Sequence, residues 1–141
     1  MKEPHRITFV CLHGSAKSLI AAELLCRLAP ERGLAVTAAS AGVEPDAAIP
    51  PHVVAGLGAQ GIHVSHVHPR QVNNDMLASA RRVVSFGCDL TSRSRTGRSI
   101  TRWDDVPAVT DGFAAAQDAI VARLYTLLDE MAARASPAMN G

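Results

Sequence analysis

Eight consecutive residues, Cys11-Leu12-His13-Gly14-Ser15-Ala16-Lys17-Ser18, gather a thiol, two hydroxyls, an imidazole and an ammonium around one glycine. They join a strand-like run, Ile7-Thr8-Phe9-Val10, to a helix-like run that begins near Ser18. At such a junction the unpaired backbone N–H groups of the loop and the first helical turn converge on a small volume, and the helix dipole adds partial positive charge there. Leu12, His13, Gly14, Ser15, Ala16, Lys17 and Ser18 thus form an oxyanion cradle. The same field favours thiolate over thiol at Cys11, while Lys17 supplies a full charge and Ser18 a hydroxyl donor. A free cysteine at a strand end is more often a small buried hydrophobe, but that reading leaves the Gly, Ser and Ser of the following turn unexplained.

Positioning such a loop requires a sheet and helices in alternation, and the apolar pattern supplies them. Residues 6–11 read as a buried strand and residues 18–28 as a helix, ended by Ala29-Pro30 and Gly33. A second strand is expected over 34–39. Pro50-Pro51 opens a helix to about residue 60 with Gly61 beyond its end, and Asn73 or Asn74 caps a short helix to Ala80. Residues 82–86 read as a third strand and 99–103 as a fourth. Thr110 or Asp111 is expected to cap a long last helix, whose residues Phe113, Ala116, Ile120, Leu124, Leu127 and Met131 lie along one stripe. This alternation argues for an α/β fold with a parallel sheet and helices on both faces. Ligands of such sheets bind beyond the carboxyl ends of the strands, where Cys11, Ser40, Cys88 and Asp105 are all expected.

The whole chain has 141 residues, 48% of them hydrophobic, which suits a single domain over 1–141 with 136–141 frayed. A net charge of +1 offers no global attraction to nucleic acid or to an anionic membrane. Arg93, Arg95, Arg98 and Arg102 form the one basic concentration, either a solvated loop or a funnel for an anionic substrate. No apolar run approaches the roughly 20 residues that span a bilayer. Three cysteines without a Cys-x2-Cys pair suit reduced thiols in a cytoplasm. Cys26, among Leu24, Leu25 and Leu28, reads as packing. His63, His66 and His68 do not form a metal set, since residues 63 and 66 of a strand alternate faces and no acid or thiol lies beside them. No metal or cofactor is expected.

The Cys11 loop resembles the Cys-x5-Arg-Ser phosphate loop of the low-molecular-weight protein tyrosine phosphatases and of the thiol-dependent arsenate reductases that share their fold. Leu19-Ile20-Ala21-Ala22-Glu23-Leu24-Leu25 resembles that family's first helix, and Ser40-Ala41-Gly42-Val43-Glu44-Pro45 its Ser-Ala-Gly segment. Gly61-Ile62-His63-Val64-Ser65-His66 and Pro69-Arg70-Gln71 resemble the stretch before its third helix, and Trp103-Asp104-Asp105-Val106-Pro107 its late acid-bearing loop. The resemblance implies a three-layer α/β/α fold with a four-stranded parallel sheet in the order 2-1-3-4. It also implies Cys11 as nucleophile and an aspartate on the late loop as general acid. Asp105 is favoured as the nearer to Pro107, with Asp104 as the alternative.

Four departures bear on the reaction. Lys17 stands where the family has arginine, so charge is kept while the planar two-oxygen fork is lost. Gly14 replaces an asparagine, keeping the bend without its side-chain hydrogen bond. Cys88 stands where the thioredoxin-coupled reductases carry the first of two relay cysteines, but no cysteine follows it. It is either structural or a lone resolving thiol. Pro107, Ala108 and Val109 occupy the place of the family's substrate-sandwiching tyrosines, and the only tyrosine is Tyr125; an aromatic slot is therefore not evident. His13, which some reductase-like loops also carry, tilts the reading towards arsenate.

The expected function is thiolate-dependent chemistry on a tetrahedral oxyanion: phosphate-monoester hydrolysis, or arsenate reduction in which a thiol, from Cys88 or a small molecule, takes the Cys11 adduct apart. The alternative is a weakened relative that binds oxyanions or regulates, motivated by Lys17.

Overall fold

The computed structural model describes residues 5–88, 90 and 100–135. β1 (His5–Cys11) leads to α1 (Lys17–Leu28), a 3-10 turn at Ala29–Arg32 and β2 (Val36–Gly42). α2 (Pro51–Gly58), α3 (Asn74–Ser79), β3 (Arg82–Ser85) and β4 (Ile100–Arg102) follow, then a second 3-10 turn at Val109–Asp111 and α4 (Phe113–Ala135). The strands form one sheet, all parallel, in the order β2-β1-β3-β4.

The period-two alternation of β1 divides its side chains between two cores. Ile7, Phe9 and Cys11 join the larger one with α1, α2 and α4, to which α4 contributes Ala116, Ile120, Leu124, Leu127 and Met131 of the expected stripe. Val10 joins the smaller core with Leu77 of α3, Ala41, Val83 and Leu90. The sheet is therefore a middle layer between helices, as the resemblance implied.

Several boundaries move for identifiable reasons. β2 starts later than expected because Gly33 closes the preceding turn in a left-handed conformation and the Leu34 N–H reaches back to the Ala29 carbonyl at 3.1 Å. It runs on through Ser40, Ala41 and Gly42, so that Gly42 pairs with Cys11. Thr110 and Asp111 do not cap α4. They lie in the second 3-10 turn, and the first helical bond runs from the Ala116 N–H to the Gly112 carbonyl. Asn73 does cap α3, accepting from the Met76 N–H at 2.8 Å.

Candidate active site

The Cys11–Ser18 loop owes its shape to a close approach between two glycines. Gly14 has φ +64°, and a Cβ there would stand 2.6 Å from the Gly42 nitrogen. A Cβ on Gly42 would stand equally close, 2.6 Å, to the Gly14 nitrogen. Neither position admits a side chain without backbone movement.

Beyond Gly42 the chain zips onto the loop's outer side. N–H groups of Val43, Glu44 and Asp46 donate to the carbonyls of Cys11, Leu12 and His13 at 3.2, 2.7 and 3.1 Å. A trans peptide points its C=O and N–H in opposite directions. With those three carbonyls held outward, the N–H groups of Leu12, His13 and Gly14 turn to the inner side. The Gly14 N–H indeed donates to Cys11 Sγ at 3.2 Å. At the start of α1, Ala16 occupies the N-cap with no side-chain cap, and the first turn carries no acid. Nothing in the helix's own side chains competes with an incoming anion for its N-terminal amides.

Cys11 is buried, and its Sγ lies 3.0 Å from Ser18 Oγ. Ser18 Oγ lies 2.8 Å from Ser40 Oγ, which is 3.3 Å from the Gly14 carbonyl. A thiolate can only accept, so with Cys11 ionised the Ser18 hydroxyl donates to it, and the single Ser40 proton is shared between Ser18 Oγ and the Gly14 carbonyl. Two donors, one backbone and one side chain, then converge on the sulfur.

Lys17 does not lie alone. Its Nζ donates to the Val106 carbonyl at 2.8 Å, linking the cradle to the Trp103–Pro107 loop. An ammonium has three donors, so this bond and a contact to an oxyanion are compatible. Beneath that loop, Trp103 packs edge-on against Phe86 (5.6 Å between ring centres) and tilted against Phe9 (5.9 Å). The carboxylates of the loop go elsewhere. Asp105 pairs with Arg123 of α4, whose guanidinium also lies over the Trp103 ring, and Asp104 pairs with Arg102. Both carboxylates are exposed, Asp105 more so, at 71% against 52%.

Cys88 lies within electrostatic reach of the site. Burial pushes its thiol up, as do the charges of Cys11 and Asp104, while Arg102 and Lys17 pull it down. Cys26, expected to pack, is exposed instead: the buried set of α1 runs through Leu24 and Leu25, and the next residue turns outward. His63, His66 and His68 lie in irregular chain rather than a strand and are exposed. Among the described residues no cluster of His, Cys, Asp or Glu is suited to a metal, and no helix is long and apolar enough to cross a membrane. Arg93, Arg95 and Arg98 lie outside the described residues, as does 136–141, so the basic concentration can be followed only at Arg102.

The five aromatic side chains bear on the substrate. Phe9, Phe86 and Trp103 are buried in the cluster, Phe113 packs on the core beside Gly56, and Tyr125 lies under Arg32 on α4. None is placed to sandwich a substrate ring. The large apolar side chain exposed on the loop itself is Leu12. Three contributors were not singled out from the sequence. Gly42 was visible only as part of a Ser-Ala-Gly string, Val106 acts through its carbonyl, and Asp46 sits in a polar turn with no spacing signal.

A sequence profile described as low molecular weight phosphotyrosine protein phosphatase matches residues 6–97, including the whole cradle. The chain belongs to this family. Among solved structures, the thioredoxin-dependent arsenate reductase of Corynebacterium glutamicum is similar at 25% identity and a TM-score of 0.77. That match covers 92% of this chain, which spans 63% of the Corynebacterium protein's length. An arsenate reductase from Archaeoglobus fulgidus is 27% identical over 87% of this chain and 98% of its own, with a TM-score of 0.68. YfkJ from Bacillus subtilis shares the fold at 22% identity and a TM-score of 0.80, over 92% of this chain and 96% of its own. No curated protein sequence matches the chain.

Proposed function

We propose that this family member is a thiolate-dependent enzyme acting on a tetrahedral oxyanion, with phosphate-monoester hydrolysis as its reaction. The observation that carries the reading is Cys11 Sγ, held between the Gly14 N–H and the Ser18 hydroxyl at the uncapped start of α1. Cys11 attacks phosphorus as the bond to the leaving oxygen breaks, giving a phosphocysteine. The cradle amides and Lys17 take up the charge on the equatorial oxygens. An aspartate protonates the leaving oxygen and then takes a proton from water, which attacks phosphorus, frees phosphate and restores the thiolate. Both aspartates pair with an arginine, Asp104 with Arg102 and Asp105 with Arg123; Asp104 is assigned the role because it is the less exposed of the two and its charge is felt at Cys88. The absence of a ring sandwich favours a substrate other than phosphotyrosine.

Arsenate reduction is the second reading, supported by the two reductases similar at 25 and 27% identity. There Cys11 displaces a hydroxyl from As(V). A thiol then attacks the Cys11 sulfur, arsenite leaves with the electron pair as As(III), and a second thiol reduces the resulting mixed disulfide. Because burial disfavours the Cys88 thiolate, a small-molecule thiol suits the attacking role better.

Hydrolysis of p-nitrophenyl phosphate in mildly acid buffer, wild type against Cys11→Ser, tests the first reading. Turnover that vanishes in the variant, a loss on the order of 10⁴-fold or more, is expected. Wild-type turnover no higher than the variant's overturns it, and arsenite release from arsenate with excess thiol then decides the second. Should Lys17→Arg raise turnover strongly, the native chain is the weakened, oxyanion-binding relative; should it lower turnover, lysine is fitted to its own substrate.

A further inference from the structure

We propose that Asp46 is a positioning residue for the anion cradle, acting through Ser15. The inference rests on the proposed use of the cradle and goes beyond it by adding a side chain outside the loop.

Ser15 is buried to 1% exposure, and its hydroxyl donates to Asp46 Oδ2 at 2.6 Å. That is a charge-assisted bond, shorter and stronger than a neutral one. The same residue holds the loop twice more: its N–H donates to the His13 carbonyl at 3.1 Å, and its Oδ1 lies 3.5 Å from His13 Nδ1. His13 Nδ1 also lies 3.1 Å from the Glu44 carbonyl, so the ring is fixed on the outer side of the loop. Between Gly14, which bends the chain, and Ala16, which starts the helix without a cap, Ser15 is the side chain through which the turn can be anchored. Asp46 anchors it from outside. The Ser15 hydroxyl proton is thereby committed to the carboxylate.

The arrangement has an electrostatic cost. A carboxylate near an anion site repels the ligand, so Asp46 does not earn its place by charge. What it supplies is an acceptor of fixed position. Asparagine keeps an acceptor oxygen and loses the charge, and alanine loses both.

The test measures inorganic phosphate affinity by calorimetry and the rate of Cys11 alkylation by iodoacetamide. It compares the wild type, Asp46→Ala, Asp46→Asn, Ser15→Ala and the Ser15→Ala/Asp46→Ala pair, with thermal unfolding of each. Asp46→Ala and Ser15→Ala are each expected to weaken phosphate binding about tenfold, an effect of roughly one hydrogen bond. The pair is expected to be no worse than either alone, as coupled residues behave. Asp46→Asn should stay within about threefold of wild type on the same argument. Additive losses, an Asp46→Asn as impaired as Asp46→Ala, or lowered thermal stability with unchanged affinity would each overturn the proposal. If the wild type binds no phosphate, the functional reading fails. The alkylation rates then decide on Asp46 alone: slowed in both alanine variants and kept in Asp46→Asn, or else the proposal is wrong.

Discussion

The two loops that meet across the Lys17–Val106 bond are built in opposite ways. In the Cys11–Ser18 loop the outward carbonyls of residues 11–13 are paired, the glycine is backed by Gly42, and the nucleophile is buried with two donors on it. In the Trp103–Pro107 loop an aromatic and Val106 are buried, but the two carboxylates face outward and pair with surface arginines. On the proposed reading, the difference teaches that attack and oxyanion binding are preorganised in the backbone, whereas proton delivery depends on exposed side chains. Charge-pair arrangements at exposed sites are held by about 1 kcal/mol or less, so a substrate can rearrange them at little cost.

The largest effect that separates the loops concerns the proton. On an alkyl phosphate, whose leaving group needs protonation, Asp104→Asn should lower kcat by about 10²-fold or more. Asp105→Asn should change it by less than about threefold, as an exposed pair with Arg123 implies. Initial rates of both variants check this, and the reverse order would assign the role to Asp105. Next comes Ser18→Ala, which removes the hydroxyl donor from Cys11 and should cost about 10²-fold in kcat on any substrate, good leaving groups included. A loss confined to poor leaving groups would put Ser18 in proton delivery and blur the division. Smaller in free energy is Gly42→Ala. The new Cβ meets the cradle backbone at 2.6 Å, and overpacking of that kind costs about 1–3 kcal/mol. Urea unfolding measures it, and an unchanged midpoint would mean the cradle is softer than its contacts suggest. Cys88→Ser should have the smallest effect, leaving hydrolysis within about twofold, as for a thiol whose charged form burial disfavours.

The raised Cys88 thiol also sets a pH dependence. Its proton is held more tightly in the folded chain than in the unfolded one. The unfolded chain therefore binds fewer protons above the ordinary thiol range, and stability falls as the pH rises through it. Unfolding midpoints of wild type and Cys88→Ser should diverge only in that alkaline window.

Much of this was legible in the sequence because it rests on local patterns. The buried run of β1, the stripe of α4 and the asparagine cap of α3 each follow from an apolar pattern or a single hydrogen bond. The nucleophile loop was equally legible, since strand, glycine turn and helix are consecutive. What was missed is long in range. The 31 residues separating Ser15 from Asp46 and the 89 separating Lys17 from Val106 leave no spacing signal, and a backbone acceptor such as Val106 has no residue type to betray it. The exposure of Cys26 and the turn before α4 were missed for another reason. Each is a question of about one residue's rotation or offset, the scale at which helix ends and faces are least determined by composition.

The most direct test of the central claim is the alkylation rate of each cysteine by iodoacetamide at neutral pH, followed by mass spectrometry with and without phosphate. A nucleophile preorganised at an anion site predicts that Cys11 reacts at least about tenfold faster than Cys26 and Cys88 despite its burial, and that phosphate slows Cys11 alone. Comparable rates at the three thiols, or a Cys11 rate indifferent to phosphate, would contradict it.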